Sequence, residues 1–158
     1  MKHLTMCVLA FAALGAEARA ADVDGAIAAP IHQFIDSFDK GDAKAAAAAN
    51  WADLAITDEV PPFAWRGPGT FAGWSGDLAS YDAKHGLTGE KVVLGEITRT
   101  EIDGDLAYVV VPAVYTFKEH GAPMREAAQM TFALRKGPGG WRISAWTWTG
   151  PRAQAAGR

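Results

Sequence analysis

Four apolar runs separated by turn-forming residues occupy the last part of the chain, and they commit it to a fold built on a sheet. The runs begin at Lys91 (KVVLGEITRTEID), Leu106 (LAYVVVPAVYTFKE), Met124 and Trp141, and the breaks are Asp103-Gly104, His120-Gly121-Ala122-Pro123 and Gly137-Pro138-Gly139-Gly140. Asp-Gly suits a tight hairpin because both residues tolerate positive φ. This spacing predicts four long antiparallel strands in a meander. Gly95 predicts a bulge or bend in the first strand, and Pro112, which has no N–H for a ladder, predicts a bulge or strong curvature in the second. Alternation in the last strand places Ser144, Trp146 and Trp148 on one side and Ile143 and Ala145 on the other. Both faces of Leu106 to Phe117 are largely apolar, so one face meets helices and the other needs a second cover. A homodimer through the sheet face is the expectation.

The earlier part of the chain has helical periodicity. In Gly25 to Lys40, Ile27, Ile31, Phe34, Ile35 and Phe38 form one apolar stripe, and Gly41 follows as a stop signal. Pro30 fits this helix only in its first turn, so the regular helix is expected to begin close to it. Asp42 is a candidate N-cap for a short Ala-rich helix through Asn50. Thr70 to Lys84 carries Phe71, Trp74, Leu78 and Tyr81 on one face, a third amphipathic helix. Between them, Leu54 to Val60 reads as a strand, with Phe63 to Arg66 as a short partner after the Pro61-Pro62 break.

Composition bounds the compartment and the partners. Lys2, the uncharged stretch from Leu4 to Ala16 and the small-x-small site Ala18-Arg19-Ala20 read as a secretory signal peptide over residues 1–20. One domain is expected over residues 21–150, and residues 151–158 read as a disordered tail. The chain's single cysteine, Cys7, falls within the leader, so the mature protein would have no disulfide and no thiolate ligand. The net charge of −3 and the lack of a basic run argue against nucleic acid, and no second segment is long and apolar enough to span a membrane. No spacing suggests a metal or cofactor site. A periplasmic or secreted location is expected.

Asp58 is the residue most suggestive of chemistry. Strand alternation puts it on one face with Ile56 and Val60; if those point inward, its charged form is disfavoured and its pKa rises toward the range useful to a general base. A pair with Arg66 across the small hairpin would instead make it structural. Trp51, Trp65, Trp74, Tyr81 and Tyr115 offer apolar bodies with a polar tip and are candidate ligand contacts, although each also suits a core. His32 and Asp36, four apart on the first helix, read as a solvated pair, and His85 and His120 as exposed.

This order of elements, with Gly41-Asp42 after the first helix and the segment from Phe132 to Ile143 (FALRKGPGGWRI), resembles the nuclear transport factor 2-like superfamily, in its SnoaL-like and ketosteroid isomerase-like branch. The resemblance implies an α+β cone: about three N-terminal helices packed on a strongly curved, mainly antiparallel sheet around an apolar pocket. It also implies that Asp58 stands where ketosteroid isomerases place their proton-shuttling aspartate. Phe34 then stands where those enzymes carry an oxyanion-stabilising tyrosine, and Met130 near their buried acid. Neither can donate a hydrogen bond, so both count as pocket-lining residues here, and steroid isomerisation is disfavoured.

Two functions remain. The first is a pocket that binds a small apolar or aromatic ligand; the second is a cofactor-free isomerase, dehydratase or lyase-type enzyme with Asp58 as general base. A single acid is not a mechanism, which favours the first. The leader generates its own prediction: protein recovered outside the cytoplasm should begin at Ala21, or at Arg19 if cleavage follows Ala18, by N-terminal sequencing. An intact Met1 would overturn the export reading.

Overall fold

The computed structural model describes residues 10–157, with side chains from Asp24 onward; the first nine residues of the expected leader lie outside the described residues. Helix α1 (Ala10–Asp39) is longer than the stripe suggested and runs through the expected cleavage site. Pro30 lies inside it rather than in its first turn, buried on the same face as Ile27 and Ile31. Gly41 (φ 69°) ends the helix as expected: its N–H donates to the Phe38 carbonyl and that of Asp42 to the Ser37 carbonyl, a paired closure that needs a left-handed residue. Asp42 then caps α2 (Ala43–Ala48) by accepting from the Ala45 N–H at 2.9 Å.

Strand β1 (Asn50–Thr57) pairs antiparallel with β2 (Ala64–Arg66), and α3 (Thr70–His85) follows. The meander comprises β3 (Leu87–Leu94), β4 (Arg99–Asp103), β5 (Leu106–Glu119), β6 (Ala122–Gly137) and β7 (Gly140–Thr149). The strand order is β2-β1-β7-β6-β5-β3, with β4 also on β5. The β1–β7 pair is parallel and the others antiparallel. The three helices pack on the concave face, and the core between the layers contains Ile27, Ile31, Phe34, Ile56, Phe132 and Ile143, all at most 2% exposed. This is the α+β architecture of helices on a curved sheet.

Three details depart from the sequence pattern. The run from Lys91 to Asp103 is two strands, not one. Pro112 stays in unbroken register with Gln129 of β6, and the interruption falls in its other neighbour, between Leu94 of β3 and Arg99 of β4. There Pro112 has no N–H to give, and its carbonyl instead accepts from Gly95 at 2.8 Å, so the edge strand bends away. In β7 the ladder pairs Ala133 with Ala145 but Leu134 with Ile143, leaving Ser144 as the extra residue. This bulge switches parity, so Trp141 and Ile143 face the core before it and Trp146 after it, where simple alternation put Ile143 and Trp146 on opposite sides. The expected disordered tail also forms β8 (Gln154–Ala155), which pairs with Met124 and Arg125 on β6 because those residues extend past the end of β7 and leave an edge open.

Candidate functional site

Helices α1 and α3, the loop after β1 and the concave faces of β5 to β7 enclose a cavity of about 690 Å³. Its floor is aromatic. Phe34 of α1 meets Trp74 of α3 and Trp146 of β7 at ring centroids 6.1 and 5.5 Å away, and Trp74 meets Trp146 edge-on at 5.0 Å. Met130, 2% exposed, completes this floor from β6. Tyr81 and Tyr115 stand further out, Tyr115 edge-on to Trp148 at 6.0 Å and Tyr81 stacked on His85 at 3.9 Å.

Asp58 is the first residue beyond β1, and it lines the cavity beside this floor. Its Oδ2 accepts from the Trp74 indole N–H at 2.6 Å and its Oδ1 from the Glu59 backbone N–H at 2.7 Å. The expected alternative, an ion pair with Arg66, is not formed: β1–β2 register sets Arg66 opposite Ala55, and Arg66 is exposed. Burial raises the Asp58 pKa above the ordinary carboxylate value, and the two hydrogen bonds, which favour the ionised form, oppose that rise.

Two of the aromatic side chains expected at the site lie elsewhere. Trp51 projects to the far end of the sheet, where its N–H donates to the Arg135 carbonyl at 3.0 Å and its ring lies under the Arg135 and Arg142 guanidinium groups at 4.6 and 5.6 Å. Trp65 is 8% exposed and donates to Asp77 Oδ2 at 2.8 Å, so its polar tip ties β2 to α3. Both are structural because a buried indole N–H takes the nearest acceptor, and here that acceptor lies outside the cavity. His32 and Asp36 are exposed, as is His120. His85, expected to be exposed, is half-buried: its Nδ1 lies 2.8 Å from the Tyr81 carbonyl and the residue lines the cavity.

The acidic residues around Asp58 escaped the sequence reading. Glu126 of β6 is only 2% exposed, and its Oε1 accepts from the Trp148 indole N–H at 2.8 Å. Glu59 and Asp82 also line the cavity. Loss of water pushes Glu59, which keeps an exposed side, up to about 8, with the carboxyl groups of Glu126 and Asp58 adding to the rise. Burial lifts Asp82 to about 6, followed by repulsion from Glu90 and Asp58 and against attraction to His85. Glu126 is raised by burial and Tyr115 by burial and then by Asp82 and Glu90. Alternation was the available signal for Glu126, since it shares the inward face of β6 with Met130, Phe132 and Leu134. Among the described residues, no group of three or more His, Cys, Asp or Glu is arranged to hold a metal ion.

The family profile of the SnoaL-like domain matches residues 27–147. The chain belongs to the SnoaL-like domain family. Solved structures place it within the wider nuclear transport factor 2-like fold. It is similar to the hexachlorocyclohexane dehydrochlorinase LinA-type3 from Novosphingobium barchaimii (17% identity, 89% of this chain and 94% of that one, TM-score 0.73). A ketosteroid isomerase-like protein from Erwinia carotovora atroseptica is similar at 20% identity over 81% of this chain and 95% of that one, with TM-score 0.63. A nuclear transport factor 2-like superfamily protein from Salmonella enterica matches at 17% identity, 88% of this chain and 98% of that one, TM-score 0.69. No curated protein matches the sequence. At these identities the likeness carries the fold and leaves activity to the residues of the site.

The raised carboxyl groups generate a pH prediction. Unfolded, Glu59 loses its proton near 4.5; folded, it holds it to about 8, so across that window the folded state binds more protons and stability falls as pH rises. Asp58, Asp82 and Glu126 have the same sign. The thermal midpoint should therefore drop between pH 5 and pH 9, and Glu59→Gln should flatten the slope. A midpoint that rises through this interval would contradict the arrangement.

Proposed function

We propose that the SnoaL-like domain is a proton-transfer enzyme acting on a small, mainly apolar or aromatic molecule, with Asp58 as general base. The observation that carries this reading is the pair of hydrogen bonds from Trp74 and the Glu59 N–H, which hold an otherwise desolvated carboxylate at the wall of an aromatic cavity without any basic partner. The two donors favour the ionised form of Asp58 and fix its orientation, while burial, the larger effect, makes it more basic than a carboxylate in water. The objection that one acid makes no mechanism is met by Glu59, which at about 8 retains its proton at neutral pH and can return one to the substrate. Neighbouring carboxyl groups with separated pKa values are the arrangement that divides base from acid. Abstraction of a C–H proton by Asp58 and delivery of a proton at a second atom is an isomerisation; with expulsion of a leaving group it is an elimination. The dehydrochlorinase and isomerase-like proteins of the same fold lend this reaction class plausibility. A purely ligand-binding pocket is the competing reading, in which Asp58 would only contact the ligand.

The variant Asp58→Asn separates the two. Incubated in D₂O with small-molecule extract of the host, the wild type should deuterate or convert a metabolite, and the variant should do so at least ~10²-fold more slowly while still retaining that compound. Equal conversion by both proteins would refute the role of Asp58. Retention of a compound that neither protein changes would favour binding alone.

We further propose export to the periplasm or beyond and a homodimer through the outer sheet face. What supports the dimer is the exposure of Val93, Leu106 and Tyr108 at 51%, 56% and 41% on a face that no helix covers. Sedimentation should give a dimer for the wild type and a monomer for Tyr108→Glu; a monomeric wild type would refute it.

A further inference from the structure

The cavity assigns a charge to its occupant. Its acidic groups come from three separate parts of the fold: Asp58 and Glu59 from the loop after β1, Asp82 from α3 and Glu126 from β6. None meets a basic side chain. Among the described residues the two ion pairs, Arg99 with Glu101 and Arg135 with Asp53, lie outside the cavity. His85 and Arg152 also line it, and His85 attracts Asp82, but among the described residues neither comes within ion-pair distance of these carboxyl groups. Glu126 is 2% exposed and is met by the Trp148 indole N–H and by the neighbouring Glu59 carboxyl group, while Asp82 Oδ1 is buried with no hydrogen-bond partner. Buried carboxyl oxygens left in this state are costly unless a cation or donor arrives. Beside them the cavity is lined by the rings of Trp74, Trp146, Tyr81, Tyr115 and Trp148. Aromatic faces attract positive charge through the ring quadrupole, and walls of this kind are how proteins hold quaternary ammonium groups.

We propose that the molecule bound here is a cation, an amine or quaternary ammonium compound with an aromatic or apolar body. This rests on the cavity being the functional site, and it narrows that reading from any apolar molecule to a positively charged one. The body packs on Phe34 and Met130, and the charged head lies at the carboxyl groups, with Glu126 its deepest partner. Gly150 contributes to the selectivity by having no side chain, since a Cβ there would overlap Glu126 Oε1 and push the carboxyl group out of place.

The test compares two probes of equal shape and different charge, 4-(hydroxymethyl)phenyltrimethylammonium and 4-tert-butylbenzyl alcohol. Binding to the full chain is measured at pH 8.5 by tryptophan fluorescence and calorimetry, since that pH lies above the value of about 8 to which Glu59 is raised. The cation should bind at least about tenfold more tightly than its neutral counterpart. Glu126→Gln, which preserves shape and the Trp148 hydrogen bond, should remove most of that preference while leaving the neutral probe's affinity unchanged; Asp82→Asn serves as a second variant should the first not fold. Equal affinities, or a preference for the alcohol, overturn the charge assignment and leave the apolar cavity reading intact. A cation preference that survives both substitutions overturns the placement of the charged head at Glu126 and Asp82. If neither probe binds, the assignment falls together with the cavity reading.

Discussion

The Trp74 indole joins the two layers of the protein and, in the same contact, fixes its candidate base. Its ring packs between Phe34 of α1 and Trp146 of β7, so α3 is held by the helix on one side and the sheet on the other. Its N–H has one acceptor, Asp58 Oδ2, at the end of β1. An apolar body that stabilises the core by removing large area from water therefore carries a polar tip whose only use is to orient a carboxylate. Without that donor the carboxylate would meet only the backbone N–H of Glu59, and burial would shift it further toward the neutral acid.

The same device recurs. Trp148 donates to Glu126 and Trp65 to Asp77, so three of the six tryptophans end on a carboxylate. The destinations differ in exposure and so in consequence. Asp77 serves a helix-to-strand contact, whereas Asp58 and Glu126 line the cavity, where no basic side chain among the described residues pairs with them. Carboxyl groups and aromatic rings therefore alternate around the cavity, Asp58 against Trp74 and Glu126 against Trp148. Carboxyl groups without a basic partner distinguish it from a simple apolar core, in which they would be replaced or paired.

Sheet irregularities set the shape that makes this possible. The break opposite Pro112 lets the edge of the sheet bend, and the bulge at Ser144 returns Trp146 and Trp148 to the concave side after Ile143 has already faced it. A regular strand would have sent one of those sets to the outer face, and the cavity would lose its back wall or the core its Ile143.

Local chemistry in the sequence determined the elements themselves. The apolar stripe ending at Gly41, the Asp42 cap, the stripe of α3 and the Gly- and Pro-marked meander each follow from periodicity and turn preference, which act over a few residues. Alternation over the expected strand Leu54 to Val60 aimed Asp58 inward; the strand ends at Thr57, and Asp58 lines the cavity from the loop just beyond it. Only the tertiary structure decided which partners each polar tip reached. Trp51 and Trp65 have the same local signature as Trp74, yet their N–H groups meet acceptors outside the cavity, and Asp58 accepts from a residue 16 positions away instead of from Arg66. The parity change in β7 arises from a register slip against β6 that no pattern within β7 announces. The gathering of Glu59, Asp82 and Glu126 around one space likewise depends on three elements meeting. Side-chain direction is local, but a pKa and a charge balance belong to the assembled surroundings, and those form only when the chain closes on itself.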